Sequence, residues 1–253
     1  MKGADETPAI KADGVTKSIK KKKILDGVSI YVPKGSIYVL AGPNGAGKTT
    51  TIRILVGLIS RDSGKVEVLG VEPQSPEWDK VKSKIGYLPE DASPYERLSG
   101  WENLLFTALL YADGDRSKAL NYVNRAIEIS GLSRSDLSRR TSSYSKGMKR
   151  RLLLGQVLMH EPELVIMDEP TSGLDVFTAY RVKRLIKELA RRGTTFLITT
   201  HDMKEAEELA SRVGFIHEGR IVFEGEPGEA LEMYNAETLE EAFVRAFSRD
   251  YRW

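Results

Sequence analysis

The chain contains no cysteine, which removes disulfides and thiolate metal centres from the possible chemistry. Nothing in the composition points to an oxidising compartment, so a reducing cytoplasm is expected. No stretch approaches the roughly 20 consecutive apolar residues that span a bilayer, and the opening MKGADETPAIKADG lacks the apolar core of a signal peptide. The chain is therefore expected neither to cross a membrane nor to be exported. A charge imbalance is missing too: 38 Lys and Arg stand against 36 Asp and Glu, for a formal net charge of +2. That balance gives no electrostatic footprint of the kind a nucleic-acid binder carries. There is no internal repeat and no heptad run long enough for a coiled coil.

What is present is enough material, at 253 residues, for one or two domains with a proper core. Residues 1–9 mix small, polar and charged types without period and read as a loose tail. Strand-like stretches around Ile24–Val32 and Ser36–Ala41 flank the turn Pro33-Lys34-Gly35, and the second runs into a glycine-rich loop. A helix is expected from Gly47 to about Leu58, and strands over Lys65–Leu69 and Ile85–Leu88. Residues 90–160 are helical in pattern, with helices over Trp101–Tyr111, Ser117–Ile129 and Ser145–His160. The apolar runs Leu164–Met167 and Thr195–Thr199 read as strands buried on both faces of a parallel sheet, joined by a helix over Val176–Arg192. A hairpin over Val213–Glu224 and a last helix over Thr238–Phe247 follow.

The loop carries the strongest chemical signal. Gly42-Pro43-Asn44-Gly45-Ala46-Gly47-Lys48-Thr49 fits G-x-x-x-x-G-K-[ST] between an expected strand and an expected helix, the context in which that spacing cradles phosphates. Backbone N–H groups and a helix N-terminus supply partial positive charge, and Lys48 adds a full one. The hydroxyl of Thr49 can hold a magnesium ion bridging two phosphates, and Thr50 continues the same turn. Such a cradle needs an acid at the end of a buried strand, and Leu164-Val165-Ile166-Met167-Asp168-Glu169 supplies two. Asp168 is expected on the metal side, and Glu169 as the base that polarises the attacking water. Two acids capping an apolar strand without a cradle would read as strand-end solvation.

About twenty residues before Asp168, Ser145-Lys146-Gly147-Met148-Lys149 resembles the signature sequence of ABC ATPases. That sequence is usually Leu-Ser-Gly-Gly-Gln. Ser145 and Gly147 keep the pattern, whereas Tyr144, Lys146, Met148 and Lys149 depart from it in a form similar to the subfamily serving ABC-2 type exporters. A serine hydroxyl at a helix N-terminus is an anion site in either form. Ser172-Gly173-Leu174-Asp175 resembles the family's D-loop, and His201, after the strand ending at Thr200, resembles its switch histidine and γ-phosphate sensor. The resemblance covers about Val15 to Phe247 with every motif in order.

The resemblance implies an α/β P-loop NTPase with a mixed-sheet ATP-binding core, an N-terminal antiparallel β subdomain and an inserted α-helical subdomain. The core and β subdomain would comprise 10–89 and 161–225, the signature-bearing helical subdomain 90–160, and a helical tail 226–253. It further implies an ATPase with ATP and Mg2+ as ligands, working as a dimer of ABC ATPase subunits, two copies or two different chains, beneath transmembrane permease subunits. In that family Lys48 and its loop hold ATP on one subunit while Ser145 and Gly147 of the other cover the γ-phosphate. Closure on ATP and reopening on hydrolysis would drive translocation, in the direction of export if the branch holds. A soluble ABC ATPase acting on nucleic acid or ribosomes is the competing reading; it lacks the coiled-coil arms or second cassette such relatives carry. A non-hydrolysing regulator is disfavoured by Glu169.

Two positions depart from the family. Aligning Val15-Thr16-Lys17 puts Ile19 where relatives place an aromatic ring against adenine, and isoleucine packs without stacking. Glu90 stands where many relatives carry a glutamine near the metal; a carboxylate accepts a hydrogen bond as an amide oxygen does, but adds charge, and a plain surface acid fits it equally. The run Lys20-Lys21-Lys22-Lys23 reads as a solvated turn between strands in preference to a lipid-binding patch, because no apolar face accompanies it. Lys149-Arg150-Arg151 reads as a helix surface, and Trp101, Leu104, Leu105 and Ala108 as the packing face of the helical subdomain.

Overall fold

A computed structural model describes residues 7–248. Two sheets divide the strands. The first is antiparallel, in the order β2-β1-β4, from β1 (Ile10–Ile19), β2 (Lys22–Val32) and β4 (Ser63–Val68). The sequence shows no period over β1 because the strand bulges: register shifts fall between Ala12 and Val15, where Gly14 takes φ 59°, and the inward set slips from Ile10 and Ala12 to Val15. The turn joining β1 to β2 is Lys20-Lys21, both at positive φ, as the solvated-turn reading expects. Ala9, assigned to a loose tail, is fully buried and its N–H donates to Val32 O at 2.9 Å; residues 1–6 of that tail lie outside the described residues.

The second sheet has six strands in the order β5-β6-β7-β3-β8-β9. They are β3 (Ile37–Ala41), β5 (Ile85–Leu88), β6 (Leu164–Asp168), β7 (Thr195–Thr200), β8 (Arg212–His217) and β9 (Arg220–Gly225). Five run parallel and β9 closes the edge as an antiparallel hairpin partner of β8. Every residue of β3, β6 and β7 is buried, so each strand feeds two cores. Tyr38, Leu40, Ile166 and Leu197 face the antiparallel sheet and helix α1 (Lys48–Leu55); Val39, Ala41, Met167, Phe196 and Ile198 face the opposite side. That side is covered by α7 (Val176–Arg191), α8 (Met203–Leu209), α9 (Pro227–Tyr234) and α10 (Leu239–Ser248). The tail helices thus belong to the core: Leu239 and Ala242 are fully buried, and Phe243 meets Phe215 edge-on at 5.2 Å. Residues 249–253 lie outside the described residues.

Between β5 and β6 stands a helical layer with its own core. It comprises α3 (Gly100–Tyr111), α4 (Arg116–Ser130), α5 (Arg134–Leu137) and α6 (Lys146–Leu158), and the short α2 (Asp79–Lys82) precedes β5. Starts follow side-chain chemistry: Ser99 forms a capping box with Glu102 on α3, Asp115 caps α4 and Ser145 caps α6. Leu104 and Ala108 are buried as the helical period predicts, but Trp101 is 41% exposed and does not join that core. Helix α6 is shared: Leu152 packs into the helical layer while Leu153, Leu154 and Leu158 pack toward the sheet. It therefore joins the two cores.

His160, just past α6, stacks on Tyr111 with ring centroids 3.8 Å apart. Burial pulls its pKa down to about 4, so it folds neutral. Because the folded value lies below the ordinary 6.5, its contribution is present above that pH and is lost as pH falls from about 6.5 toward 4. Full protonation opposes folding by about 3 kcal/mol. His160→Phe should therefore shift the midpoint of acid unfolding to lower pH, measured by circular dichroism. An unchanged midpoint would remove His160 from the acid response.

Candidate functional site

Neighbouring strands place the sequence-predicted residues side by side. In the order β5-β6-β7-β3, carboxyl ends deliver Glu90, then Asp168 and Glu169, then His201, then the Gly42–Thr50 loop. The loop needs glycine at three places, and Gly45 is one by its φ of 82°. A Cβ at Gly42 would sit 2.3 Å from Ile216 O; at Gly47, φ is 111° and a Cβ would meet Leu25 Cδ2 at 2.6 Å. Gly47 is the N-cap of α1 and no side chain caps that helix, so its first-turn amides keep their capacity for an anion.

A cavity of about 470 Å³ opens over this loop, lined by Asn44, Gly45, Gly47, Lys48, Thr49 and Thr50. Glu90, Asp168 and Glu169 line it from the acidic side, and Lys22 and Ile24 from the antiparallel sheet. Gly42, Pro43 and Ala46 belong to the same loop but are not among the lining residues, and neither is His201. Lys48 is 6% exposed; its ammonium donates to Gly42 O at 2.6 Å and Pro43 O at 3.3 Å, and lies 3.5 Å from Glu169 Oε1. Glu169 is buried to the same degree, and its Oε2 lies 2.9 Å from Nδ1 of the half-exposed His201. One carboxylate thus stands between ammonium and imidazole.

Glu169 holds an uncommon backbone, φ 48°, with its N–H donating to both Thr199 O and Thr199 Oγ1 at 3.2 Å. Asp168, 1% exposed, accepts from the Thr199 hydroxyl through Oδ1, while its buried Oδ2 has no hydrogen-bond partner among the described residues. Asp168, with an orphaned buried carboxylate oxygen, and Thr49, with its hydroxyl, line one cavity, an oxygen donor set that fits a divalent cation.

Other expected residues lie apart. Ser145, Gly147 and Asp175 do not line this cavity. The Ser145 hydroxyl accepts from Met148 N at 3.2 Å as N-cap of α6, and Asp175 accepts from Thr178 N at 2.9 Å as N-cap of α7. Asp175 and Gly147 are neighbours: a Cβ on Gly147 would come 3.5 Å from Asp175 Oδ2. Ile19, 43% exposed at the end of β1, is not among the lining residues. Lys22 and Ile24 of the following strand line the cavity instead, two positions the lysine run concealed. Sequence reading also misplaced Arg150: it is 7% exposed, not on a helix surface, and its guanidinium binds the carbonyls of Glu169 and Pro170. Its spacing of three and four from the buried Leu153 and Leu154 was the available signal.

A glycine cradle between β3 and α1, with strand-end carboxylates on β6 across the intervening β7, defines a P-loop nucleoside triphosphatase. The profile of the ABC transporter family matches residues 25–172, and the chain belongs to that family. The linearmycin resistance ATP-binding protein of Bacillus subtilis is 35% identical over 91% of this chain and 73% of its own length. The bacitracin transport ATP-binding protein of Bacillus licheniformis is 39% identical over 91% of this chain and 74% of its own. A lantibiotic transport ATP-binding protein of Streptococcus pyogenes is 36% identical over 92% and 95%. Among solved structures, an ATP-binding subunit of an ABC transporter superposes with a TM-score of 0.81 at 26% identity, over 94% of this chain and 99% of that one. A dimeric ATP-binding cassette in a post-hydrolysis state, bound to ADP and Pi, shares the fold with a TM-score of 0.78. The chain is accordingly an ATPase of the ABC transporter family.

Proposed function

We propose that this chain binds ATP over the Gly42–Thr50 loop, hydrolyses it with Glu169 as base, and drives an exporter by closing and opening against a second ATPase subunit. The observation that carries this is the placing of Glu169 between Lys48 and His201 at the mouth of the loop. When the γ-phosphate takes up Lys48, Glu169 is released from that ion pair, and His201 is left to orient it and to hydrogen-bond the phosphate. Water then attacks the γ-phosphorus, Glu169 takes its proton, and the bond to the β–γ bridging oxygen breaks to give ADP and phosphate. Thr49 and Asp168 would hold Mg2+, which when bound neutralises charge on the β- and γ-phosphates; Glu90 faces the same cavity and would accept from metal-bound water.

Ser145 and Gly147 are not among the residues lining this chain's cavity and, as the family resemblance implies, they are assigned to the ATP held by a second subunit, with Asp175 beside Gly147. The hydroxyl and the α6 N-terminus would cap the γ-phosphate there. Relatives named for bacitracin and lantibiotic transport and for linearmycin resistance favour export. No helix among the described residues is long and apolar enough to cross a membrane, so the membrane path would belong to permease subunits that hold this chain at the cytoplasmic face. The test is ATP turnover together with co-purification of a polytopic membrane protein. Turnover without such a partner would favour a soluble ATPase, and no turnover would end the proposal.

Two smaller results follow from the same geometry. His201→Ala should lower the rate by about a hundredfold by freeing the Glu169 carboxylate to swing; wild-type turnover would exclude the histidine. With Ile19 off the cavity wall, no ring there supplies the 1–3 kcal/mol of stacking that an aromatic gives a base, so ATP and GTP should compete nearly equally. A strong preference for ATP in competition binding would contradict this.

A further inference from the structure

Arg150 buries a guanidinium where the helical pattern would accept a leucine. It lies on the face of α6 that carries Leu153 and Leu154, and a buried charge costs several kcal/mol unless paired. Its hydrogen bonds show what it holds: Nε donates to Pro170 O at 2.7 Å and Nη2 to Glu169 O at 2.5 Å, two successive carbonyls in one fork. Thr199 holds Glu169 as well, its carbonyl and hydroxyl oxygens both accepting from the Glu169 N–H. Glu169 is in the left-handed region, which is strained for a non-glycine residue and persists where surroundings over-determine it. Just beyond, buried Glu205 accepts from Thr171 Oγ1 at 2.6 Å, and its charge offsets the desolvation of Arg150. Residues 169–171 are thereby fixed by side chains from α6, β7 and α8.

Helix α6 begins at Ser145, the residue assigned above to a second subunit's ATP. Five residues of helix, about 7.5 Å of rise, separate that cap from Arg150. We propose that Arg150 is a positioning residue for hydrolysis: it sets the backbone of Glu169 so that the carboxylate meets the attacking water, and it couples that base to Ser145 on the same helix. A phosphate seated on Ser145 in one composite site then bears on the base of the other. This rests on the assignment of Glu169 as base and of Ser145 to a partner's nucleotide.

The experiment compares the full chain with Arg150→Met, Arg150→Gln and Arg150→Lys, reading kcat and KM for ATP, binding of a fluorescent ATP analogue, and thermal midpoint. Arg150→Met should lower kcat by about a hundredfold while binding stays at the parent value. Arg150→Gln, which can donate to one of the two carbonyls, should recover part of that loss. If Arg150→Met does not fold, Arg150→Lys carries the comparison: an ammonium lacks the fork and should still depress kcat with KM unmoved. A folded variant with parental kcat overturns the inference. So does a loss in which kcat, binding and midpoint fall together and Gln is no better than Met, because that is packing alone. Coupling is read from a double-mutant cycle with Ser145→Ala, whose rate losses should be less than multiplicative with those of Arg150→Gln; independent losses overturn the link. Absence of turnover in the parent would instead refute the underlying assignment of the base.

Discussion

Glu169→Gln should stop turnover while leaving ATP bound. A general base contributes about 10²–10⁴-fold, and an amide cannot take the proton from water, so the rate should fall at least about a hundredfold. Binding should not fall with it. Glu169 lies 3.5 Å from the Lys48 ammonium, and its charge stands against an incoming triphosphate as well as occupying the lysine. Removing that negative charge takes away a repulsion toward the phosphate and frees the lysine for it. The amide also keeps the shape, so the Thr199 and Arg150 bonds to the backbone remain. Single-turnover hydrolysis and equilibrium binding on one preparation separate the two effects. Near-parental hydrolysis would remove Glu169 as base, and lost binding would show that its place in the structure matters more than its chemistry.

Lys48→Ala should give the complementary result, with affinity lost first and turnover following from it. Charge-assisted hydrogen bonds to a phosphate contribute about 1.5–3 kcal/mol, or roughly ten- to over a hundredfold in dissociation constant. The loop should also loosen, because the ammonium bonds its own Gly42 and Pro43 carbonyls. Buried Glu169 then loses its cation, and breaking one side of a buried ion pair destabilises a fold by about 3–5 kcal/mol when no rearrangement compensates. A lower thermal midpoint without nucleotide should therefore accompany the weaker binding, measured by scanning calorimetry and by titration. Parental affinity in this variant would mean that the triphosphate is not held by this loop.

The phosphate cradle was readable because its determinants are local: three glycines, a lysine and a threonine within eight residues, between a strand and a helix. Asp168, Glu169 and His201 were readable for a related reason, each closing an apolar run that could only be a buried strand. Their adjacency was not, since the order β5-β6-β7-β3 joins strands far apart in sequence and no local pattern encodes it. Strand β1 escaped because a bulge at Gly14 slips its alternation, and α8 and α9, of 7 and 8 residues, are too short for a clear period. Arg150 was missed because it lies between Lys149 and Arg151, and charged runs read as solvated surface. Lys22 and Ile24 reach the cavity wall only because the antiparallel sheet folds over the loop, which brings the start of β2 to the same cavity as Lys48.

That Ser145 and Gly147 stand outside the cavity of their own chain makes two-chain enclosure of ATP the central claim. Sedimentation of Glu169→Gln with and without ATP and magnesium tests it most directly, because hydrolysis no longer reopens the pair. The expected result is a monomer without nucleotide and a dimer with it, and a monomer again when Ser145→Arg is added. A monomer at saturating, demonstrably bound ATP would contradict the account.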